Sequence, residues 1–139
     1  MHEGKFTTRL LKEINELRQD VVVFKIHGHV MQQNGIPDFF VAWNGIVGWI
    51  EVKSETGRLS PIQRRLITDL RSQGCLVCEL RYYEVEEGYL LHLAPDGVSH
   101  YERLAVRLSD IGRVFLELLK AVNGIRKDKE CESPPSSAT

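Results

Sequence analysis

The sequence predicts an α/β fold in which a central mixed β-sheet is flanked by helices. Apolar residues recur at helical spacing near the N-terminus and again in the segments that follow residues 60 and 109. An Asn-Gly pair between two apolar runs indicates a β-hairpin, because a two-residue hairpin turn needs positive φ at both central residues. A helical segment lies between two strand-like runs over residues 48–80, which predicts a right-handed parallel crossover.

Length and composition are those of one ordinary globular domain. The chain has 139 residues and a mass of 15.9 kDa, with 42% hydrophobic and 27% charged residues. We assign residues 1–123 to a single domain and expect the polar, Ser- and Pro-containing stretch 124–139 to be disordered. No apolar run approaches the ~20 residues of a membrane span, and no secretory signal opens the chain. We therefore expect a cytoplasmic protein with no membrane partner.

The first helix is predicted over residues about 4–19, and its apolar stripe includes Phe6, Leu10 and Ile14. At about 100° per residue, Glu3 falls in the middle of that stripe. Glu3 is thus either a carboxylate that points inward or an acid that complements the dipole at the helix N-terminus. Both interpretations stay open at this point.

A β-branched run from Val21 to Ile26 predicts the first strand, and His27-Gly28-His29 follows it. Two histidines at this spacing can bind a metal, but they lie where the strand gives way to a loop. Contacts of Lys25, His27 or His29 with a substrate are the more plausible interpretation.

The hairpin joins residues 39–43 to residues 46–50 through the turn Asn44-Gly45. If Trp43 pairs with Ile46, the numbers of paired residues sum to 89. This register places Asp38 opposite Glu51.

Two carboxylates in that position predict a bound cation. Directly opposed side chains have Cβ atoms about 4.5–5.5 Å apart, and like charges there are destabilising unless something offsets them. Lys53 projects from the same strand face as Glu51, because side chains alternate along a strand. A metal-dependent hydrolytic site is the leading hypothesis. The alternatives are a solvated edge strand that carries an ordinary acid-x-Lys string, or a bulge that shifts the register by one.

The second helix has a complete set of N-terminal signals, with Ser60 as N-cap, Pro61 at the first position and Gln63 at the third. Gly74 ends the helix, and residues 76–80 form the next strand. Further along, residues 88–93 and 98–101 predict another hairpin around Pro95-Asp96-Gly97. Ser109 is expected to cap the last helix. The wide apolar face of that helix can pack on the sheet and on a second copy, and comprises Ile111, Val114, Phe115, Leu118, Leu119 and Val122.

The net charge of −1 conceals an uneven distribution. Basic residues predominate over 52–74, beside the predicted site, whereas residues 84–102 contain acids and no Lys or Arg. We expect nucleic acid to lie along the basic segment that contains Arg58, Arg64, Arg65 and Arg71. Which of these arginines face the phosphates stays open, because a helix turns some of them away. The chain has three cysteines, Cys75, Cys78 and Cys131, and this odd number does not indicate a disulfide framework. Cys75 and Cys78 have no second Cys or His pair at the spacing of a zinc site, so we interpret them as structural.

Several of these segments together resemble a known superfamily, the PD-(D/E)xK nucleases. The likeness covers residues 3–80, and within the superfamily it is closest to the virus-type replication-repair nuclease (VRR-NUC) domain, which has short stand-alone members in phages. One departure is Thr7 or Thr8, where the family often has Gln one turn after the first Glu. The matching segments are Glu3, Gly35-Ile36-Pro37-Asp38, Glu51-Val52-Lys53 and Ser60-Pro61-Ile62-Gln63.

The resemblance implies a restriction-endonuclease-like core and a Mg²⁺- or Mn²⁺-dependent DNA endonuclease, structure-selective and active in replication, repair or recombination. It implies Asp38, Glu51 and the Val52 carbonyl as ligands, with Glu3 acting directly or through water. Lys53 would orient or deprotonate the attacking water, and Gln63 would face the site. From the charge distribution and the end of the first strand, we expect nucleic-acid contacts from Lys25, His27, Arg58, Arg64 and Arg65.

The resemblance also implies duplex or branched DNA as substrate, a homodimer, no small-molecule cofactor, and the host cytoplasm for a phage-encoded protein. A Holliday-junction resolvase or a restriction-type enzyme on the same core stays open. So does a nonenzymatic nucleic-acid-binding relative, although binding alone does not require paired carboxylates.

Overall fold

The computed structural model describes residues 1–26 and 35–132, with side chains described up to residue 125. Within these residues, three helices and six strands follow one another along the chain, and a short 3₁₀ helix, Leu108–Asp110, precedes the last helix. Their bounds are α1 Glu3–Leu17, β1 Val22–Lys25, β2 Phe39–Trp43, β3 Ile46–Lys53, α2 Pro61–Ser72, β4 Leu76–Val85, β5 Gly88–Ala94, β6 Tyr101–Ala105 and α3 Ile111–Glu132.

The six strands form one sheet in the order β1-β2-β3-β4-β5-β6. Among the described strands, only β3 and β4 pair in parallel, and every other neighbouring pair is antiparallel. The long connection through α2 lies between β3 and β4, as a parallel pair requires. The mixed sheet flanked by helices predicted from the sequence is confirmed.

The main core lies on one face of the sheet. α1 and α3 pack against each other and over this face, and their apolar side chains join those of the strands in one cluster. Phe39 meets Phe115 of α3, and Phe6 of α1 stacks on Tyr82 at 4.0 Å between ring centroids. α2 lies against β4 on the opposite face, where Ile67 and Val77 are buried. The sheet therefore has helices on both faces.

The C-terminal strands differ from the sequence prediction. β4 continues to Val85, and β6 begins at Tyr101 instead of spanning residues 98–101. The Asp96 carboxylate accepts the backbone N–H groups of Val98 and Ser99, which holds this segment in a turn.

The expected capping role of Ser109 is wrong, because Ser109 lies inside the 3₁₀ helix. Asp110 caps this segment instead, since its carboxylate accepts the backbone N–H of Arg107 at 3.2 Å.

α3 extends further than expected. It continues to Glu132, so the tail predicted to be disordered from residue 124 is helical up to that point, and residues 133–139 lie outside the described residues. The polar residues after Asn123 include good helix formers, and no proline interrupts them before Pro134, so the helix can continue. Within the described part of the chain, no helix combines the length and apolar character that crossing a bilayer requires.

Candidate active site

The hairpin between β2 and β3 sets the geometry of the site. Asn44 and Gly45 have φ values of 51° and 78°, as the two-residue turn requires. Pairing runs from Trp43↔Ile46 to Phe39↔Ile50, which confirms the predicted register. One further step along it places Asp38, just before β2, across from Glu51.

The Glu51 carboxyl group is buried, with 2% of the residue exposed. Its Oε1 atom accepts a hydrogen bond from Gln63 Nε2 at 3.1 Å and lies 3.6 Å from Lys53 Nζ. Its Oε2 atom is also buried, and no hydrogen-bond partner for it exists among the described residues. A buried polar atom without a partner is rare in native proteins and calls for a ligand or a functional role.

The surroundings of Glu51 oppose its ionisation. Burial, and next the negative charge of Asp38, raise the pKa of Glu51 to about 8, and the ammonium group of Lys53 offsets only part of this shift. A bound cation would reverse this balance, because it stabilises the carboxylate form.

Asp38 organises the end of the hairpin. Its Oδ2 atom accepts the backbone N–H of Val52 at 2.8 Å. This hydrogen bond brings the Val52 backbone next to the Asp38 carboxylate. The predicted third oxygen ligand thus lies beside the two acids.

Lys53 and Glu3 meet at the end of β3. Lys53 is buried, with 7% of the residue exposed, and its Nζ atom lies 4.0 Å from Glu3 Oε1. Glu3 Oε2 accepts the backbone N–H of Ser54 at 2.9 Å. Glu3 is also the first residue of α1, so its carboxylate is both near the helix N-terminus and directed at the site.

Gln63 serves two groups at once. Its Oε1 atom accepts the backbone N–H of Ser60, and its own backbone N–H donates to Ser60 Oγ, which confirms the predicted capping box. Its Nε2 atom donates to Glu51. The capping geometry therefore points the amide nitrogen into the site.

The two contacts of Gln63 can be separated by mutation. We expect Gln63→Ala to lower the nuclease activity that the sequence resemblance implies about tenfold, and the free energy of unfolding by about 1 kcal/mol, because each lost hydrogen bond contributes roughly that much. Gln63→Glu keeps a capping-box acceptor but removes the donor to Glu51, and it should also lower activity. Steady-state cleavage rates and urea unfolding measure the two effects. Wild-type activity in Gln63→Glu would mean that capping is the only role of this side chain.

Arg81 is a further residue at the site that our sequence analysis did not identify. It pairs in register with Lys53, and its Nη1 atom donates to the Ser54 and Gly57 carbonyls at 2.6 and 2.5 Å. A Cβ atom at Gly57 would lie too close to Glu3 Oε2, so a larger residue there would displace the Glu3 carboxylate. Arg81 thus holds the loop that contacts Glu3. Side chains two residues apart on a strand share a face, so a longer predicted strand would have placed Arg81 on the same face as Glu79. The strand predicted from the sequence ended at residue 80, one residue too early.

The basic residues of the 52–74 segment divide into two groups. Arg58 and Arg64 are exposed, and Arg65 is exposed but paired with Asp69 at 3.3 Å. Arg71 turns inward, where its guanidinium donates twice to the Val77 carbonyl at 3.0 and 2.8 Å. Of the four arginines considered for nucleic-acid binding, Arg71 is thus the one whose guanidinium holds α2 against β4.

Lys25 lies beside α1, where its Nζ atom donates to the Thr8 hydroxyl at 3.5 Å. Together with Lys5 and Lys12 it lines a shallow groove along α1. The hydroxyls of Thr7 and Thr8 donate to carbonyls within α1, so neither replaces the glutamine that the resemblance leads one to expect. His27 and His29 lie outside the described residues.

Neither Cys75 nor Cys78 belongs to a cluster of possible metal ligands in the part of the chain that the structure describes. Cys78 is fully buried in the main core, as predicted, and Cys75 is partly buried at the start of β4. The side chain of Cys131 lies outside the described residues.

The donor set fits a hard divalent cation. Asp38, Glu51 and the Val52 carbonyl supply oxygen atoms, which Mg²⁺ and Mn²⁺ prefer. The buried Glu51 Oε2 atom, without a partner among the described residues, is the observation that favours a cation here.

Comparison with known proteins identifies the family. The family model of the VRR-NUC domain matches residues 1–81, which include every side chain of the site. A solved VRR-NUC domain structure is 25% identical, with 57% of this chain and 82% of that chain covered and a TM-score of 0.46. The Holliday junction resolvase Hjc of Archaeoglobus fulgidus is 16% identical, with 80% of this chain and 98% of that chain covered and a TM-score of 0.49. No curated protein matches the chain.

The family match covers more than half of the 139 residues and coincides with the site built above. The chain therefore belongs to the VRR-NUC family, the virus-type replication-repair nucleases, and is a nuclease that acts on DNA.

Proposed function

We propose that the protein is a Mg²⁺- or Mn²⁺-dependent DNA endonuclease that is selective for DNA structure. The observation that carries this proposal is the buried Glu51 carboxylate, which has one unpartnered oxygen among the described residues and lies across the hairpin from Asp38. Lys53 offsets only part of the cost of burying this acid beside Asp38, and a divalent cation would supply the remaining positive charge.

Asp38, Glu51 and the Val52 carbonyl would hold the ion, and Glu3 would contribute directly or through a water molecule. The ion would supply Lewis-acid stabilisation of the charge that develops on the phosphate and would lower the pKa of the attacking water.

The remaining side chains would position the reacting groups. Lys53 directs its ammonium group toward Glu51 and Glu3, where it can orient the attacking water or take part in its deprotonation. Gln63 fixes the rotamer of Glu51 through its hydrogen bond. Arg81 would hold the loop that contacts Glu3 through its hydrogen bonds to the Ser54 and Gly57 carbonyls.

A panel of labelled single-stranded, duplex, flap and four-way DNAs tests the reaction and its selectivity. We expect cleavage with Mg²⁺ or Mn²⁺, none in EDTA, and a clear preference for one DNA structure. Glu55→Gln is the matched control, because Glu55 is an exposed acid four residues beyond Glu51. Cleavage of no substrate in the panel would refute the proposal, and equal cleavage of all would refute structure selectivity.

DNA is proposed to cross the site between Lys25 on one side and Arg58 and Arg64 on the other. Binding measured with the Glu51→Gln variant should weaken as salt rises, because phosphate contacts release counterions. Removing Arg58 and Arg64 should reduce the slope of log K against log salt by about 0.9 for each duplex phosphate that these two side chains neutralise.

Arg113→Ala is the control for this measurement, since Arg113 is an exposed, ion-paired residue of α3. Fluorescence anisotropy at four salt concentrations gives each slope. An unchanged slope in the Arg58/Arg64 double variant would place the DNA elsewhere.

A homodimer is the proposed working form, because symmetrical cutting of two strands needs two sites in opposed orientation. The apolar face of α3 does not provide the interface, since the core of the monomer buries it. A strip of apolar side chains on β1, β2 and β3 is the better candidate, with Phe24 and Val47 about half exposed and Phe24 stacked on Phe40 at 4.8 Å. Sedimentation equilibrium at micromolar protein tests it. A fully active species of 15.9 kDa would contradict it.

Junction resolution is a second candidate within this function, and the four-way arm of the panel decides it. A nonenzymatic DNA-binding role is disfavoured because such a protein gains nothing from a buried carboxylate with an unsatisfied oxygen.

A further inference from the structure

A second group of ligand-type side chains lies on the C-terminal strands, outside the residues matched by the family model. His92 of β5 pairs directly with Glu102 of β6, and His100 precedes Glu102 by two residues. Strand alternation places all three on the same face of the sheet. Ligand atoms from the three side chains lie within 4.8 Å of one another.

The distances within this cluster suit a small cation. Glu102 Oε1 lies 3.5 Å from His100 Nε2 and 4.0 Å from His92 Nε2. Tetrahedral zinc, with bonds of roughly 2.0–2.1 Å, separates its ligands by about 3.3 Å. Bringing the ligand atoms from separations of up to 4.8 Å to that value needs a shift of no more than about 1.5 Å, and the side chains of His100 and Glu102 are about half exposed.

His92 is the most constrained member of the cluster. Its Nε2 atom is buried and has no hydrogen-bond partner among the described residues, while its ring meets that of His100 at 4.0 Å between centroids. Burial, and next the neighbouring His100, lower the pKa of His92. The neutral imidazole is the form that binds metals.

One nearby positive charge opposes cation binding. Arg81 pairs with His92 across β4 and β5. The guanidinium of Arg81 is already engaged with the Glu79 carboxylate and the Ser54 carbonyl, so its charge is largely compensated. The cluster therefore remains suited to a cation.

We propose that His92, His100 and Glu102 form a second metal site, which is selective for a transition-metal ion such as Zn²⁺ over Mg²⁺. Two imidazoles and one carboxylate suit Zn²⁺, whereas the oxygen-only site at Asp38 and Glu51 suits Mg²⁺ or Mn²⁺. A bound ion would tie β5 to the turn that leads into β6 and would leave a fourth position for water. This site does not depend on the proposed nuclease activity.

Cobalt(II) alone is the probe, because its visible d–d absorption reports coordination directly. The full chain is used with Glu51→Gln, which weakens the nuclease site and lets the second site be observed. We expect one equivalent of Co²⁺ to bind, Zn²⁺ to displace it, and excess Mg²⁺ to leave it in place. His92→Gln and His100→Gln should each weaken binding at least about tenfold, since even changes outside the ligand shell reach that size.

Two controls keep the result interpretable. His2→Gln, an exposed histidine outside the cluster, and the His27→Gln/His29→Gln double variant should bind Co²⁺ as the parent does. Zn²⁺ should also raise the melting temperature of the parent and not that of His92→Gln, as binding to the folded state alone predicts. The proposal is overturned by absent Co²⁺ binding, by unchanged affinity in His92→Gln, or by loss confined to the His27/His29 variant.

Discussion

Replacing Glu51 with glutamine is expected to abolish DNA cleavage and to make the metal-free protein more stable at neutral pH. Loss of the cation site removes several kcal/mol of transition-state stabilisation, so cleavage should fall at least about a thousandfold. The amide at position 51 can still accept from Gln63, and it no longer places a charge in a buried site beside Asp38. Cleavage rates and urea unfolding in EDTA measure the two effects.

Asp38→Asn should lose activity to the same extent, because its remaining carbonyl oxygen can accept from Val52 N–H but binds a divalent ion poorly. Glu55→Gln is the matched control and should cleave at the wild-type rate. Activity within tenfold of wild type in either site variant would remove the assignment of that residue.

The stability of the metal-free protein should fall as pH rises, and Glu51 should be the cause. The folded pKa of Glu51 is raised to about 8, whereas an unfolded glutamate titrates near about 4.3. Between these values the folded state retains a proton that the unfolded state has lost, so stability decreases with pH. Below this window both states are protonated, and above it both are ionised, so the contribution is constant there.

The total effect should amount to a few kcal/mol, since one pH unit inside the window corresponds to about 1.4 kcal/mol. Urea unfolding in EDTA at several values between pH 5 and 8, for the wild type and Glu51→Gln, isolates the contribution as a difference. The difference should grow in favour of Glu51→Gln as pH rises. Parallel stability curves would show that Glu51 is ionised in the folded protein at all these values.

Features determined by neighbouring residues were predictable from the sequence. Asn44-Gly45 defines both the turn and the register, so the placement of Asp38 across from Glu51 follows from local rules. The capping box at Ser60 is equally local, and the structure confirms it.

Features determined by distant contacts were not predictable. The sequence does not distinguish Arg71 from Arg64, because both are arginines of the same basic helix. Only the docking of α2 on β4 turns Arg71 toward Val77. The role of Arg81 depends on the parallel pairing of β3 with β4, which brings it beside a loop 24 residues earlier in the chain. The burial of Glu51, and with it the raised pKa, arises from the same packing.

The central claim is that the paired acids at the end of the hairpin hold a divalent metal ion. Anomalous X-ray scattering from crystals grown with Mn²⁺ tests it most directly, because the anomalous peak locates the ion without reference to activity. We predict a peak within coordination distance of the carboxylates of Asp38 and Glu51 and of the Val52 carbonyl. A well-ordered structure at saturating Mn²⁺ with no peak there, or with Mn²⁺ bound only elsewhere, would contradict this claim.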